Sequence, residues 1–181
     1  MFDQDYWVFG YGSLVWQPGF PFQERHIARL SGFSRSFCMR SIHHRGTVNE
    51  PGLVLALDRD TAGFCDGVAF RVAGSNGLAT IEYLRERELV SSAYLEQIHT
   101  ICLSDGTQTQ AVCYVIDEDH VQYCGGLDPE EQARIIAKAV GGRGPNTEYL
   151  YNTASHLNEL GIEDPGLNWL SARVSQLSTR N

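Results

Sequence analysis

The rhythm of apolar and polar positions changes near the middle of the chain. In the first half, runs rich in β-branched and aromatic residues, "YWVFG" (6–10), "GFSRSFCMRSI" (32–42), "GLVLALD" (52–58) and "GFCDGVAFRV" (63–72), alternate with Gly, Pro and Asp. That pattern predicts short strands divided by turns. "GLATIEYLRERE" (77–88) moves to helical spacing, and residues 93–116 read as a hairpin whose turn carries Asp105 and Gly106. Three helices follow. The first takes Asp128 as N-cap, Pro129 as first residue and Glu131 at the third position, and stops at Gly141; the second runs from Asn146 to Gly161; the third starts at Asp164. No repeat, low-complexity tract or linker interrupts the order, so residues 1–181 are expected to form one α+β domain.

Within "GLATIEYLRERELV", Leu78, Ile81, Leu84 and Glu88 share one helical stripe, whereas Glu82 and Glu86 fall toward the opposite, solvated face. A carboxylate at the core-facing Glu88 is either desolvated and poised for proton transfer, or lies in water just past a frayed helix end. The periodicity leaves both open.

Composition narrows the setting. A chain of 181 residues buries about two thirds of its unfolded surface without staples. The five cysteines, Cys38, Cys65, Cys102, Cys113 and Cys124, are odd in number, lack C-x-x-C spacing and sit mostly in apolar segments, as thiols of a reducing compartment do. The first residues, "MFDQDYW", have no basic n-region, and no run approaches the roughly 20 apolar residues of a membrane span. A cytoplasmic protein without a membrane partner is expected. A formal charge of −8 with no basic block disfavours nucleic acid. A small anionic ligand needs only a few local donors, and "CMRSIHHRGT" supplies Arg40 and Arg45.

The stretch "VFGYGSLVWQPGF" (8–20) runs an apolar strand into two glycines around a tyrosine. It is no dinucleotide loop, because the third glycine position holds Val15, and it fits neither a nucleophile elbow nor a P-loop. Two readings survive: backbone N–H groups at Gly12 to Leu14 converging on an anion or oxyanion, and a tight turn packed by Trp16 and Phe20. His43 and His44 are neighbours that an extended segment would turn to opposite faces, the other histidines are scattered, and the cysteines carry no nucleophile signature. No metal site is expected.

Taken in order, "VFGYGSLVWQPGF", "HRGT" followed by "PG" and "LAL", "GVAFRV", "YLRERELV" and "GPNTEYL" resemble the ChaC family of γ-glutamylcyclotransferases, which degrade glutathione in the cytosol. The resemblance covers nearly the whole chain. It implies a small closed mixed β-barrel flanked by helices. It also implies cleavage of glutathione by cyclisation to 5-oxoproline and cysteinylglycine, without metal or organic cofactor. The family's Y-G-S-L loop maps to Tyr11, Gly12, Ser13 and Leu14, led in by Val8, Phe9 and Gly10, and is implied to bind the γ-glutamyl group. The family's catalytic glutamate follows Tyr-Leu-x-x-Arg, which gives Glu88 and not Glu86. The tyrosine of "NTEYL" maps to Tyr149 near the substrate, and Arg40 joins the expected binding set as a cation for an anionic substrate. Where many members have glycines after the glutamate, this chain has Ser91-Ser92-Ala93-Tyr94, a departure that bears on substrate preference. Other readings are a cyclotransferase of the same fold acting on other γ-glutamyl amides or amines, and a non-catalytic module binding a γ-glutamyl ligand.

Overall fold

Strands β1 (Tyr6–Gly10), β2 (Glu24–Ser41), β3 (Gly52–Val72), β4 (Tyr94–Leu103) and β5 (Gln108–Ile116) close into a barrel in the order β1-β3-β2-β4-β5, with β3 also pairing β5. The computed structural model describes residues 2–180. β1 lies antiparallel to β3 from Tyr6↔Val72 to Gly10↔Val68, and β4 antiparallel to β5 from Tyr94↔Ile116 to Cys102↔Gln108. The contacts Trp7↔Ala111 and Leu57↔Val115 are parallel, so the barrel is mixed, as expected. Closure removes free sheet edges, and every residue of β5 from Ala111 to Ile116 is buried.

The chain divides into two compact units. Met1–Arg35 with Ala56–His120 form one, and Ser36–Leu55 with Val121–Asn181 the other. The first holds most of the barrel, the single turn α1 (Ser13–Trp16) and helix α2 (Gly74–Glu88); the second holds α3 (Pro129–Lys138), the two-residue strands β6 (Val140–Gly141) and β7 (Gly144–Pro145), α4 (Asn146–Glu159) and α5 (Pro165–Ser178). Among the described residues no helix is long and apolar enough to cross a membrane.

Several expected boundaries move. Residues 52–58 and 63–72 were expected as two strands but form one, and no described residue between Gly32 and Ser92 takes the positive φ that a primed hairpin turn there would use. β2 starts at Glu24 rather than near Gly32: charged Arg25 and Arg29 face out while Ala28 and Leu30 face in, an alternation hidden by the charge. On α2 the buried positions are Gly77, Thr80, Ile81 and Leu84, while Leu78 is 59% exposed. The face is rotated by one residue because Gly77 meets the chain closely, a Cβ there falling 2.0 Å from the Phe2 carbonyl oxygen.

Asp128 caps α3 through the Glu130 N–H at 2.9 Å, and Asp164 caps α5 through the Leu167 N–H at 3.0 Å, as their positions predict. Gly141, expected to stop α3, instead lies in β6 beyond an end at Lys138; a Cβ on it would fall 2.4 Å from the Gly46 nitrogen, so its role is close approach. Asn146, from which the helix was expected to run, is the first residue of α4, and its side chain makes no cap. Its wholly buried amide accepts the Leu53 N–H and donates to the Leu53 carbonyl, both at 2.8 Å. This pair supplies β3 with backbone partners from a side chain. Asn146→Ala is therefore expected to strand two buried backbone groups and to lower unfolding stability by about 2–4 kcal/mol, read as a lower urea midpoint at unchanged slope.

Candidate active site

Gly10 closes β1 under the residues that follow it: a Cβ there would come within 3.0 Å of Leu14 Cβ and 3.3 Å of the Phe70 ring. Facing it, a Cβ on Gly67 would lie 2.3 Å from the Gly10 carbonyl oxygen. The close approach thus requires glycine at position 67, and a side chain at position 10 would press on Leu14 and Phe70. α1 is one turn, with Val15 N–H on the Gly12 carbonyl at 3.0 Å and Gln17 N–H on the Ser13 carbonyl at 2.8 Å. Tyr11, Leu14 and Val15 are buried beside it. Both earlier readings of this stretch therefore bear on one structure, a packed turn with backbone N–H groups at its start. The side chains of Val8 and Phe9 are wholly buried in the core, which leaves their backbone alone to face any ligand. Arg35 reaches the turn from β2, donating from Nε to the Tyr11 carbonyl at 2.7 Å and from Nη2 to the Asp66 carbonyl.

Glu88 is the last residue of α2, and its side chain is 14% exposed. It is neither alone in an apolar stripe nor adrift in water, because Arg87 Nε lies 3.3 Å from its Oε1. The same guanidinium donates from Nη2 to Ser13 Oγ at 3.0 Å, and from Nη1 to the Gln17 carbonyl at 2.6 Å, the Pro18 carbonyl at 3.2 Å and the Tyr83 hydroxyl at 3.1 Å. One side chain thereby joins the Tyr11–Leu14 segment to the end of α2. Glu86 and Glu82 are exposed, as the periodicity predicts. After the helix, Ser92 takes φ 57°, a left-handed conformation that glycine adopts at lower cost, at a place where many relatives are expected to have glycine.

A second ion pair lies nearby in the same unit. Arg85 forks onto Glu96 at 2.9 and 2.8 Å, and Glu96 Oε2 accepts the Tyr114 hydroxyl at 3.1 Å. The Arg85 hydrogen bonds hold the Glu96 carboxyl below the ordinary carboxylate value. Burial, then the charges of Glu96 and Glu88, push the Tyr114 phenol far up, so it stays protonated as a donor.

Arg40 and Tyr149 belong to the other unit. Arg40's backbone is pinned by Gln122 through two 2.8 Å hydrogen bonds, while its half-buried guanidinium makes no ion pair or hydrogen bond among the described residues. Arg45, by contrast, is buried and committed, donating to the Pro145 carbonyl at 3.1 Å beside Glu148 and the Tyr149 ring. Tyr149 is buried, its hydroxyl accepting the Leu55 N–H at 3.2 Å and its ring edge-on to Phe37. His43 and His44 lie exposed in a bend, not in an extended segment, and no three His, Cys, Asp or Glu side chains converge among the described residues.

A family model described as ChaC-like protein matches residues 6–177. The chain belongs to that family. The glutathione-specific gamma-glutamylcyclotransferase of Escherichia coli (strain K12) is 35% identical over 175 residues, spanning 97% of this chain and 75% of that protein. Glutathione-specific gamma-glutamylcyclotransferase 1 of Danio rerio is 34% identical over 172 residues, spanning 93% and 88%. A crystal structure of the glutathione-specific γ-glutamyl cyclotransferase from yeast matches with a TM-score of 0.88 at 24% identity, covering 98% of this chain and 99% of that one, a likeness of fold.

In this ChaC-like chain, sequence reasoning did not single out Arg35 or Arg87. Arg35 carried a signal: it alternates with buried Phe33 and Phe37, so strand parity points it inward. Arg87 is the arginine of the Tyr-Leu-x-x-Arg segment and stands one helical turn after Tyr83, within bonding reach, although its charge inside "RERE" reads as part of a solvated run.

The Arg85–Glu96 pair carries a pH signature. Glu96's folded value lies below its unfolded one, so its contribution is present above the unfolded value of 4.5 and is lost as pH falls from there through the folded value. Glu96→Gln is expected to flatten the dependence of unfolding stability on pH as it falls below about 4.5, leaving other carboxylates to supply the rest. Urea melts across that range check this.

Proposed function

We propose that this protein cleaves the γ-glutamyl bond of glutathione by internal cyclisation, releasing 5-oxoproline and cysteinylglycine, with Glu88 as the proton-transfer group. The observation that carries the reading is the single Arg87 guanidinium spanning Ser13 Oγ at 3.0 Å and Glu88 Oε1 at 3.3 Å, which keeps a mostly buried carboxylate beside the Tyr11–Leu14 segment. Relatives at 34–35% identity whose names specify glutathione and γ-glutamyl cyclotransfer support the substrate.

The substrate supplies its own nucleophile. Its α-amine attacks its own γ-carbonyl carbon and closes a five-membered lactam, so no water is consumed. Holding the flexible γ-glutamyl chain in the cyclised geometry removes an entropic barrier, a term that reaches effective molarities of about 10⁵ M or more in well-oriented systems. At neutral pH the amine is an ammonium, so a proton must leave it, and the departing cysteinyl nitrogen must gain one; a single carboxylate does both in turn. Glu88 takes that role, and backbone N–H groups of Gly12 to Leu14 face the oxygen on which negative charge develops. Ser13 is assigned no nucleophilic role, because the group its hydroxyl faces is a guanidinium donor, which cannot take the proton as a general base would. The binding set in this proposal comprises Val8, Phe9, Gly10, Tyr11, Gly12, Ser13 and Leu14, with Arg40 and Tyr149; Arg40's uncommitted guanidinium supports a carboxylate-binding role. The whole chain, residues 1–181, serves as one domain, and five cysteines held as thiols support a cytoplasmic setting.

Purified protein incubated with reduced glutathione is expected to release cysteinylglycine and 5-oxoproline in equal amounts. Glu88→Gln should lower turnover by about 10²- to 10⁴-fold or more, and Glu86→Gln should leave it unchanged. Free glutamate as product, or equal activity of wild type and Glu88→Gln, would reject the mechanism. Turnover of other γ-glutamyl amides in place of glutathione would move the substrate assignment to them, and binding without turnover of any would leave a binding module.

A further inference from the structure

We propose that Arg87 is the positioning residue of this reaction, fixing the Ser13 turn and the Glu88 carboxylate in one mutual geometry. The inference rests on Glu88 being the proton-transfer group. Its starting point is that α1 cannot hold itself: it is four residues long, has no side-chain N-cap bond, and ends at Gln17 with non-helical backbone angles. A single turn costs more conformational entropy than its hydrogen bonds return, so its shape must be imposed by groups outside it. Two arginines do this. Arg35 holds the Tyr11 carbonyl before the turn, and Arg87 holds Ser13, Gln17 and Pro18 along and after it.

Arg87 differs from Arg35 in also facing the carboxylate. Its Nη1 serves the two carbonyls and Tyr83, its Nη2 serves Ser13, and its Nε faces Glu88, so the planar fork is used in three directions at once. At 15% exposure for Arg87 and 14% for Glu88, this is not a solvent-screened surface pair. With Ser13 Oγ accepting from Arg87, the hydroxyl proton is left for donation elsewhere. A lysine ammonium keeps the charge but is a point donor, unable to reach Ser13, Gln17 and Glu88 together.

Arg87→Met and Arg87→Lys test this against glutathione, with thermal melting and separate kcat and KM. Because a displacement of about 1 Å can cost roughly 10²-fold, Arg87→Met is expected to lose about 10²-fold in kcat. Arg87→Lys should melt near wild type yet lose about tenfold in kcat, with KM changed by less than about threefold. In the Arg87→Lys background, Ser13→Ala should cost less kcat than in wild type, since the bond it removes is already weakened. Wild-type kcat in Arg87→Lys overturns the proposal, and so does a loss confined to KM, which would make Arg87 a substrate-binding group. If Arg87→Met does not fold, the Arg87→Lys result decides. An inactive Glu88→Gln beside a fully active Arg87→Lys rejects the positioning role alone, whereas an active Glu88→Gln rejects the reading beneath it.

Discussion

A four-residue helical turn has too few internal hydrogen bonds to be stable, yet this chain places one directly after its first barrel strand and builds its candidate site around it. The geometry of α1 is therefore borrowed. Gly10 and Gly67 let Leu14 and the crossing backbones approach, Arg35 fixes the carbonyl of Tyr11, and Arg87 fixes Ser13, Gln17 and Pro18. The supporting groups, Gly10 of β1, Arg35 of β2, Gly67 of β3 and Arg87 of α2, all lie in the first unit, on elements held by barrel pairing or core burial. The turn is as rigid as those elements.

The same logic sorts the glutamates of α2 and β4. Glu82 and Glu86 face solvent, Glu88 faces Arg87, and Glu96 is clamped by Arg85 and Tyr114. Arg85 and Arg87 stand two residues apart, about 200° around the helix, so one serves each side. One side is an ion pair with a phenol kept protonated by burial. The other joins a carboxylate to the glycine-bounded turn.

In the second unit, several residues that carry the family resemblance serve scaffolding. A Cβ on Gly46 would lie 2.0 Å from the Gly52 nitrogen, and one on Gly52 would lie 2.2 Å from the Arg45 carbonyl oxygen. "HRGT" and "PG" are thus two backbones in contact, and the asparagine of "GPNTEYL" completes the hydrogen bonding of Leu53. Arg45 donates across the same region to Pro145. What this leaves uncommitted is Arg40, which follows the buried Cys38 and Met39 on β2.

The sequence by itself determined most of the elements and pointed to one candidate carboxylate. Period-2 and period-3.6 spacing marked β1, the β4–β5 hairpin and α2 to α5, the acids before proline marked two helix starts, and motif order with helical register led to Glu88. These are local properties, set by neighbours within a few residues. Tertiary structure decided the partners: that residues 52–72 are one strand, that Asn146 bonds Leu53 and caps nothing, that Gly141 is a close approach, that Leu78 is displaced outward by Gly77, and that Arg87 binds the turn. The last four depend on groups far away in sequence, and sequence spacing carries no record of what the chain will place opposite a given side chain. A charged residue in a polar run looks the same whether water or a carboxylate and four carbonyl or hydroxyl oxygens await it, because only folding removes the water.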